Sequence, residues 1–335
     1  MKQTLPKANI TAVGKYLPQK ILTNFDMEKL VDTNDEWIQS RTGIRERRIV
    51  ENGEATAEMS TNAIKELMAK RDLDPQEIDT IIVGTVTPDM MLPSTAALIQ
   101  KNIGATKAWG YDLSAACSGF LFGLQSGASL INSGQCKKVI VVGADTMSAI
   151  LDFEDRNTCI LFGDGAGAVL LEPSEEFGII DSKLRIDGEG GKYLKMEGGG
   201  SLHRTSHQTV DEKQHFITQD GKTVFKYAVK GMADISYEVA QRNGLSNDDI
   251  KLFIPHQANK RIIDAAAKRM GLKKEQVLVN IDKYANTTAA TIPIGLAEAV
   301  EKNMLNKGDN LIISAFGAGF TWGAIYIKWG MPTHV

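Results

Sequence analysis

The chain repeats itself, and that repeat restricts the fold more than any single motif does. Residues 71–89, RDLDPQEIDTIIVGTVTPD, and 243–259, NGLSNDDIKLFIPHQAN, share a Leu, an acidic turn, an Ile and then an apolar strand. Each runs into a helical stretch that closes on a similar phrase, ALIQKNIGATK or AAAKRMGLKK. WGYDLSAACSGFLFGLQSGASLI and VLVNIDKYANTTAATIPIGLAEAV follow, each a strand, a junction of small or polar residues, and a helix. KVIVVGADT and NLIISAFGA close the series. Units sharing only generic βα composition would match in places; three phrases matching in order indicate duplicated halves. We divide them as 1–173 and 174–335.

Apolar runs at 78–86, 137–145, 167–172, 250–255 and 309–316 alternate with helical stretches. Near-continuous apolar strands between helices predict a largely parallel α/β sheet covered on both faces. A chain of 335 residues exceeds one small core. The formal charge of −3 gives no global footprint for nucleic acid. Three cysteines without paired spacing suit free thiols in a reducing compartment. The start, MKQTLPKANITAVGKYL, lacks a signal-peptide core, and no apolar run approaches a membrane span. The expected address is the cytoplasm, with no membrane partner.

Two stretches break the rhythm. Residues 187–222 are polar and Gly-rich, which predicts a surface excursion of the kind that borders a site. The helix over 32–43, capped by Thr33 or Asn34, sets Trp37 and Arg41 on one face.

Cys117 lies between tiny residues where a strand gives way to a helix, whereas Cys136 and Cys159 read as core filler. At the positive end of a helix a thiol pKa falls, so Cys117 reads equally as filler or as nucleophile. A nucleophile needs partners. His256 follows a strand end, while His203, His207 and His215 fall in the excursion and His334 in the tail. The repeat sets Asn286 at the junction corresponding to Cys117, so a pseudo-twofold axis would bring the two junctions together with His256. Gly317 and Gly319 suit a turn whose N–H groups, with that of Cys117, form an oxyanion hole. FGDGAGAV (162–168) reads as tight structural packing, and no metal-ligand spacing occurs.

DTNDEWIQSRTGIRERR, AACSGF, DRNTCILFGDGAGAV, PHQAN, YANTTAA and AFGAGFTWGA together resemble the β-ketoacyl-acyl carrier protein synthase III family, which initiates bacterial fatty acid synthesis. The resemblance runs from about residue 8 to 330. It implies a thiolase-like fold of two duplicated α/β halves in αβαβα layers, usually a homodimer. Cys117 would take an acyl group from acyl-CoA. His256 and Asn286 would stabilise the enolate of malonyl-acyl carrier protein, with the N–H groups of Cys117 and Ala318 as oxyanion donors. CoA, a substrate rather than a cofactor, would meet Thr33, Trp37, Arg41, Arg156 and Gly221. Lys226, Lys260, Arg261, Lys268 and Arg269 would dock the acidic carrier protein.

Three residues depart from the family pattern. Ala285 and Ala318 stand where Gly is usual, and Leu92, near the primer pocket of a partner, stands where an aromatic is frequent. A starter synthase of polyketide or quinolone type, a Cys-His-Asn thioester hydrolase and a non-catalytic CoA or carrier-protein binder are the competing readings.

Overall fold

VIVVGAD, Val139–Asp145, has no solvent-facing side: all seven residues are buried. The computed structural model describes residues 5–51 and 53–332, so His334 lies outside the described residues. Its first sheet holds β1 (Lys7–Tyr16), β2 (Thr80–Gly84), β3 (Trp109–Leu113), β4 (Val139–Asp145) and β5 (Gly165–Ser174). Their spatial order is β1-β5-β4-β2-β3. β5 is antiparallel to both β1 and β4, whereas β2 is parallel to both β4 and β3.

The second sheet holds β6 (Gly178–Ile186), β7 (Ile250–Pro255), β8 (Asn310–Gly317) and β9 (Thr321–Lys328), in the order β7-β8-β9-β6. Here β9 is antiparallel to β6 and β8, and β7 is parallel to β8. A lone parallel bridge, Phe253 to Val277, stands where the first sheet has β3. The two sheets therefore share one winding, as the repeat predicts. All five apolar runs read from the sequence lie on strands, but in two mixed sheets rather than one largely parallel one. Burial on both faces makes β5 and β9 as apolar as their parallel neighbours although they run antiparallel.

Five layers follow from which side chains pack together. α2 (Thr56–Arg71) and α3 (Thr95–Ile103) cover the outside of the first sheet, with Ile64 and Ile99 against Ile81 and Ile140. α5 (Gly221–Arg242) and α6 (Lys260–Met270) cover the second, with Met232 and Ile262 against Phe253 and Ile312. α4 (Gly119–Asn132) and α7 (Thr291–Glu301) lie between the sheets, where Phe120, Leu124, Ile292 and Leu296 share one core with Val141 and Ile313. α1 (Asp35–Thr42) is capped by Asn34. No described helix is long and apolar enough to cross a membrane.

The turn before α7 sits directly on β4. A Cβ at Gly143 would fall 2.1 Å from the Ala289 carbonyl oxygen, so only glycine permits that approach. It joins the halves at the strand ends, where doubly wound sheets form their sites.

Candidate active site

Cys117 lies in a 3₁₀ turn, Ala116–Ser118, that opens α4. The turn starts from Ala116 at φ 47°, a conformation costly for a side chain with a Cβ. Thr288, at φ 50°, opens the matching turn Thr288–Ala290 before α7. α4 starts two residues after Cys117 and α7 two after Ala289, so the counterpart of Cys117 is Ala289. Asn286 therefore corresponds to Ser114, a correction to the register read from the sequence. The run of small residues in YANTTAAT does not reveal which one starts the turn.

Burial, and after it the Asp145 carboxylate, push the Cys117 thiol up to about 12. The helix end was expected to lower it; desolvation of the thiolate outweighs that dipole in the free protein. The thiol is therefore protonated at rest.

His256 follows β7 directly, and its N–H donates to the Ser314 carbonyl at 2.7 Å. The ring is 1 % exposed, and neither imidazole nitrogen has a hydrogen-bond partner. Burial lowers its pKa to about 3, so it is neutral, with one donor and one acceptor free. Gln257 braces the segment: its amide donates to Pro255 and Leu278 carbonyls and accepts from the N–H groups of Asn280 and Ile281.

Asn286 is pinned by its backbone, donating to the Leu161 carbonyl at 3.0 Å and accepting from Gly163 N–H at 3.1 Å. Its Oδ1 accepts from Thr288 N–H at 2.9 Å. Only oxygen can accept there, so Nδ2 is the free end of the amide, a donor.

Thr321 joins the Cys117 turn to the turn after β8. Its hydroxyl donates to the carbonyls of Ala115 at 2.8 Å and Ala318 at 3.1 Å, and the Ser118 hydroxyl donates to the Thr321 carbonyl. Gly317 fits under this pair, since a Cβ there would meet Cys117 N at 2.7 Å. Of the two Gly-to-Ala departures, only Ala285 has a positive φ, 56° with ψ −152°.

Cys117, His256, Asn286 and Ala318 line one cavity of about 730 Å³. Trp37, Arg41, Arg156 and Gly221 line the same cavity. The Arg156 guanidinium stacks on Trp37, 4.8 Å from the ring centre. Met147, Ile150, Leu161 and Phe162 give it an apolar wall.

The family models described as 3-Oxoacyl-[acyl-carrier-protein (ACP)] synthase III and its C terminal match residues 111–188 and 240–329. The β-ketoacyl-[acyl-carrier-protein] synthase III of Chlorobaculum tepidum is 56 % identical over 96 % of this chain and 99 % of its own. The chain belongs to the β-ketoacyl-acyl carrier protein synthase III family. The Koribacter versatilis synthase III is 52 % identical over 96 % of this chain and 98 % of its own. A crystal structure of the Aquifex aeolicus synthase III superimposes with a TM-score of 0.88 at 42 % identity, covering 96 % of this chain and 100 % of that one. The fold is thus the thiolase-like α/β fold of these synthases.

The other residues singled out in this synthase III chain do not line the cavity. Thr33 does not line it, and its hydroxyl is buried without a partner. Leu92 is 85 % exposed, on the surface loop before α3. Of the five basic residues, Lys260 pairs with Asp264 at 2.7 Å and Arg269 with Asp234 at 3.4 Å. Lys226, Arg261 and Lys268 form no ion pair among the described residues, and Arg261 stacks on Phe225 at the cavity wall. Lys222, one turn before Lys226, lines the cavity and is not distinguished by any sequence motif. Gln257, Thr321 and Asp145 were also missed, because the partners that tie them to other segments, Leu278 and Asn280, Ala115, and Thr85 and Thr288, are remote in sequence. Among the described residues no cluster of His, Cys, Asp or Glu could hold a metal.

Proposed function

We propose that Cys117, His256 and Asn286 carry out the initiating condensation of the synthase III family in this chain. An acyl-CoA delivers its acyl group to Cys117; the C–S bond to CoA breaks, and the thiol proton leaves with CoA. Malonyl-acyl carrier protein then loses CO2, and its thioester oxygen takes the enolate charge. The imidazole N–H of His256 and Asn286 Nδ2 donate to that oxygen, two neutral donors fixed where charge develops. The resulting carbon nucleophile attacks acyl-Cys117, whose oxyanion is received by the N–H groups of Cys117 and Ala318. Collapse releases 3-oxoacyl-acyl carrier protein and a Cys117 thiolate, which takes up a proton.

The observation carrying this reading is that one cavity collects an unpartnered neutral imidazole, a free amide donor and a buried thiol. Trp37 and Arg156 suit the purine face of CoA, and Arg41 its phosphates. Gly221 lines the same cavity, and Thr33 is assigned to CoA on the family resemblance alone. Lys226, Arg261 and Lys268, with Lys222, form the carrier-protein face in our reading; Lys260 and Arg269 contribute less because they are paired. The reaction needs no cofactor beyond its thioester substrates. Free Cys117, Cys136 and Cys159 suit a reducing cytoplasm.

We further propose a homodimer built on β3. It is an edge strand, Trp109 on it is 47 % exposed, and Met91 and Leu92 are 81 % and 85 % exposed. An open apolar edge favours pairing with a second copy. We keep the division at 173/174, which falls just before Ser174, the last residue of β5, and ahead of the connection to β6.

A polyketide starter synthase is the second reading. A priming β-ketosynthase of the R1128 polyketide pathway superimposes with a TM-score of 0.91 at 33 % identity, over 98 % of both chains. Intact-protein mass spectrometry separates the readings. The enzyme is mixed with acetyl-, isobutyryl- and octanoyl-CoA, then with malonyl-acyl carrier protein. An acyl adduct absent from Cys117→Ala and discharged into a 3-oxoacyl product supports condensation. Discharge by water alone indicates a hydrolase, and absence of any adduct removes the assignment of Cys117.

A further inference from the structure

The buried carboxylate of Asp145, at the end of β4, has no role in the steps above, yet it connects both halves beneath the cavity. Asp145 is 0 % exposed. Its Oδ1 accepts from the Thr85 hydroxyl at 3.0 Å, Val86 N–H at 2.8 Å and the Thr87 hydroxyl at 3.0 Å, all from the loop after β2. Its Oδ2 accepts from the Thr288 hydroxyl and from Ala289 N–H, both from the turn before α7. No cation is among its hydrogen-bond partners. A buried carboxylate served only by neutral donors costs desolvation, and five converging donors offset that cost.

What these bonds hold is specific. Thr288 is the residue at φ 50°, a conformation that persists only when its surroundings over-determine it. The Thr288 N–H in turn fixes Oδ1 of Asn286. Val86, Asn286 and Thr288 all line the cavity beside Cys117. Asp145 therefore grips Thr288 by its side chain while Thr288 grips Asn286 by its backbone.

We infer that Asp145 is a positioning residue for the decarboxylation step: through Thr288 it keeps the Asn286 amide turned with Nδ2 toward the substrate oxygen. The inference rests on the proposed role of Asn286. It separates the two half-reactions, because acyl transfer to Cys117 uses neither Thr288 nor the Asn286 amide. Asp145→Asn keeps an acceptor for Val86 N–H but sets an NH2 group against Ala289 N–H, loosening the second-half contact. Thr288→Val keeps the shape and removes the hydroxyl, and Thr288→Ser keeps the hydroxyl.

The test measures two rates on the full-length enzyme: acyl-Cys117 formation from acetyl-CoA by intact mass, and CO2 release from malonyl-acyl carrier protein labelled in its free carboxylate. The expected result for Thr288→Val is CO2 release slowed at least tenfold with acyl loading within about twofold of wild type. Asp145→Asn should slow CO2 release likewise, while its loading rises or holds because the charge that raises the Cys117 thiol is removed. Thr288→Ser should restore CO2 release. A merely structural contact would slow both rates together or leave no difference between Val and Ser; either outcome overturns the inference, as does wild-type CO2 release from Thr288→Val. Should Asp145→Asn fail to fold, the Val and Ser pair at 288 decides alone. If wild type loads but Asn286→Ala decarboxylates normally, the assignment of Asn286 fails first and the inference falls with it.

Discussion

The Arg156 guanidinium lies over the Trp37 indole, 4.8 Å from its centre, and makes a 3.7 Å contact with the exposed Asp32 carboxylate. The two groups already touch, so a purine entering between them must separate them by one ring thickness, about 3.5 Å. Trp37→Ala should raise KM for acyl-CoA about tenfold, roughly 1.4 kcal/mol, with kcat nearly unchanged. Steady-state kinetics at saturating malonyl-acyl carrier protein checks this, and a change in kcat alone would contradict it.

Cys117 should be a poor nucleophile toward reagents that do not enter the site as acyl-CoA does. Its thiol is pushed up to about 12, so the thiolate fraction keeps growing beyond the ordinary thiol value of 9.0. Iodoacetamide alkylation of Cys117, followed by mass, should rise with pH through 9.0 without levelling. A plateau near neutrality would show a thiolate already formed at rest.

His256→Ala and Asn286→Ala should each slow decarboxylation by about 100- to 1,000-fold, the usual effect of losing one donor to a developing oxyanion. Acyl loading of Cys117 should survive in both. Loss of loading in step with decarboxylation would assign these side chains to the first half-reaction instead.

Burial holds His256 at about 3, below the ordinary 6.5 that it regains on unfolding. The unfolded chain therefore binds the extra proton, and stability falls as pH drops from about 6.5 towards about 3. His256→Gln, which has no such proton to gain, should flatten that acid-side decline in denaturant unfolding. An unchanged slope would mean that the imidazole is charged in the folded protein.

Ala285 at φ 56° and ψ −152° occupies a region that suits glycine. Ala285→Gly should raise stability by about 1 kcal/mol, the released strain exceeding the added unfolded-state entropy. Thermal unfolding measures it. A lower Tm would show that the buried methyl, packed with Ile38 and Ile281, matters more than the strain.

The fold was legible because β2, β4, β7 and β8 are written as apolar runs and the repeat orders them. Cys117 and His256 were legible because each sits where a strand ends. Asn286 was assigned to the right turn but the wrong register, since only the backbone at Ala116 and Thr288 reveals the alignment. Asp145 was invisible: it looks like the polar end of VIVVGAD, and its partners Thr85 and Thr288 lie far along the chain on either side. The basic face was half legible: Asp264 stands one turn after Lys260 on α6, a pairing that spacing alone offers, whereas Asp234 on α5 is recognisable as the partner of Arg269 only once α5 and α6 are packed.

The matching turns at Ala116 and Thr288 carry an evolutionary consequence. Two identical halves related by an axis present the same residue to each other, thiol to thiol or amide to amide. Condensation needs opposite things from the two sides: a group that holds the acyl chain, and groups that hold charge on the incoming carbon unit. In the proposed mechanism, Cys117 on one side and Ala289 on the other give the chain a single attachment point and a direction. Fusing the halves into one polypeptide allows them to diverge in this way, because two copies of one shorter gene product could not change one side without changing the other.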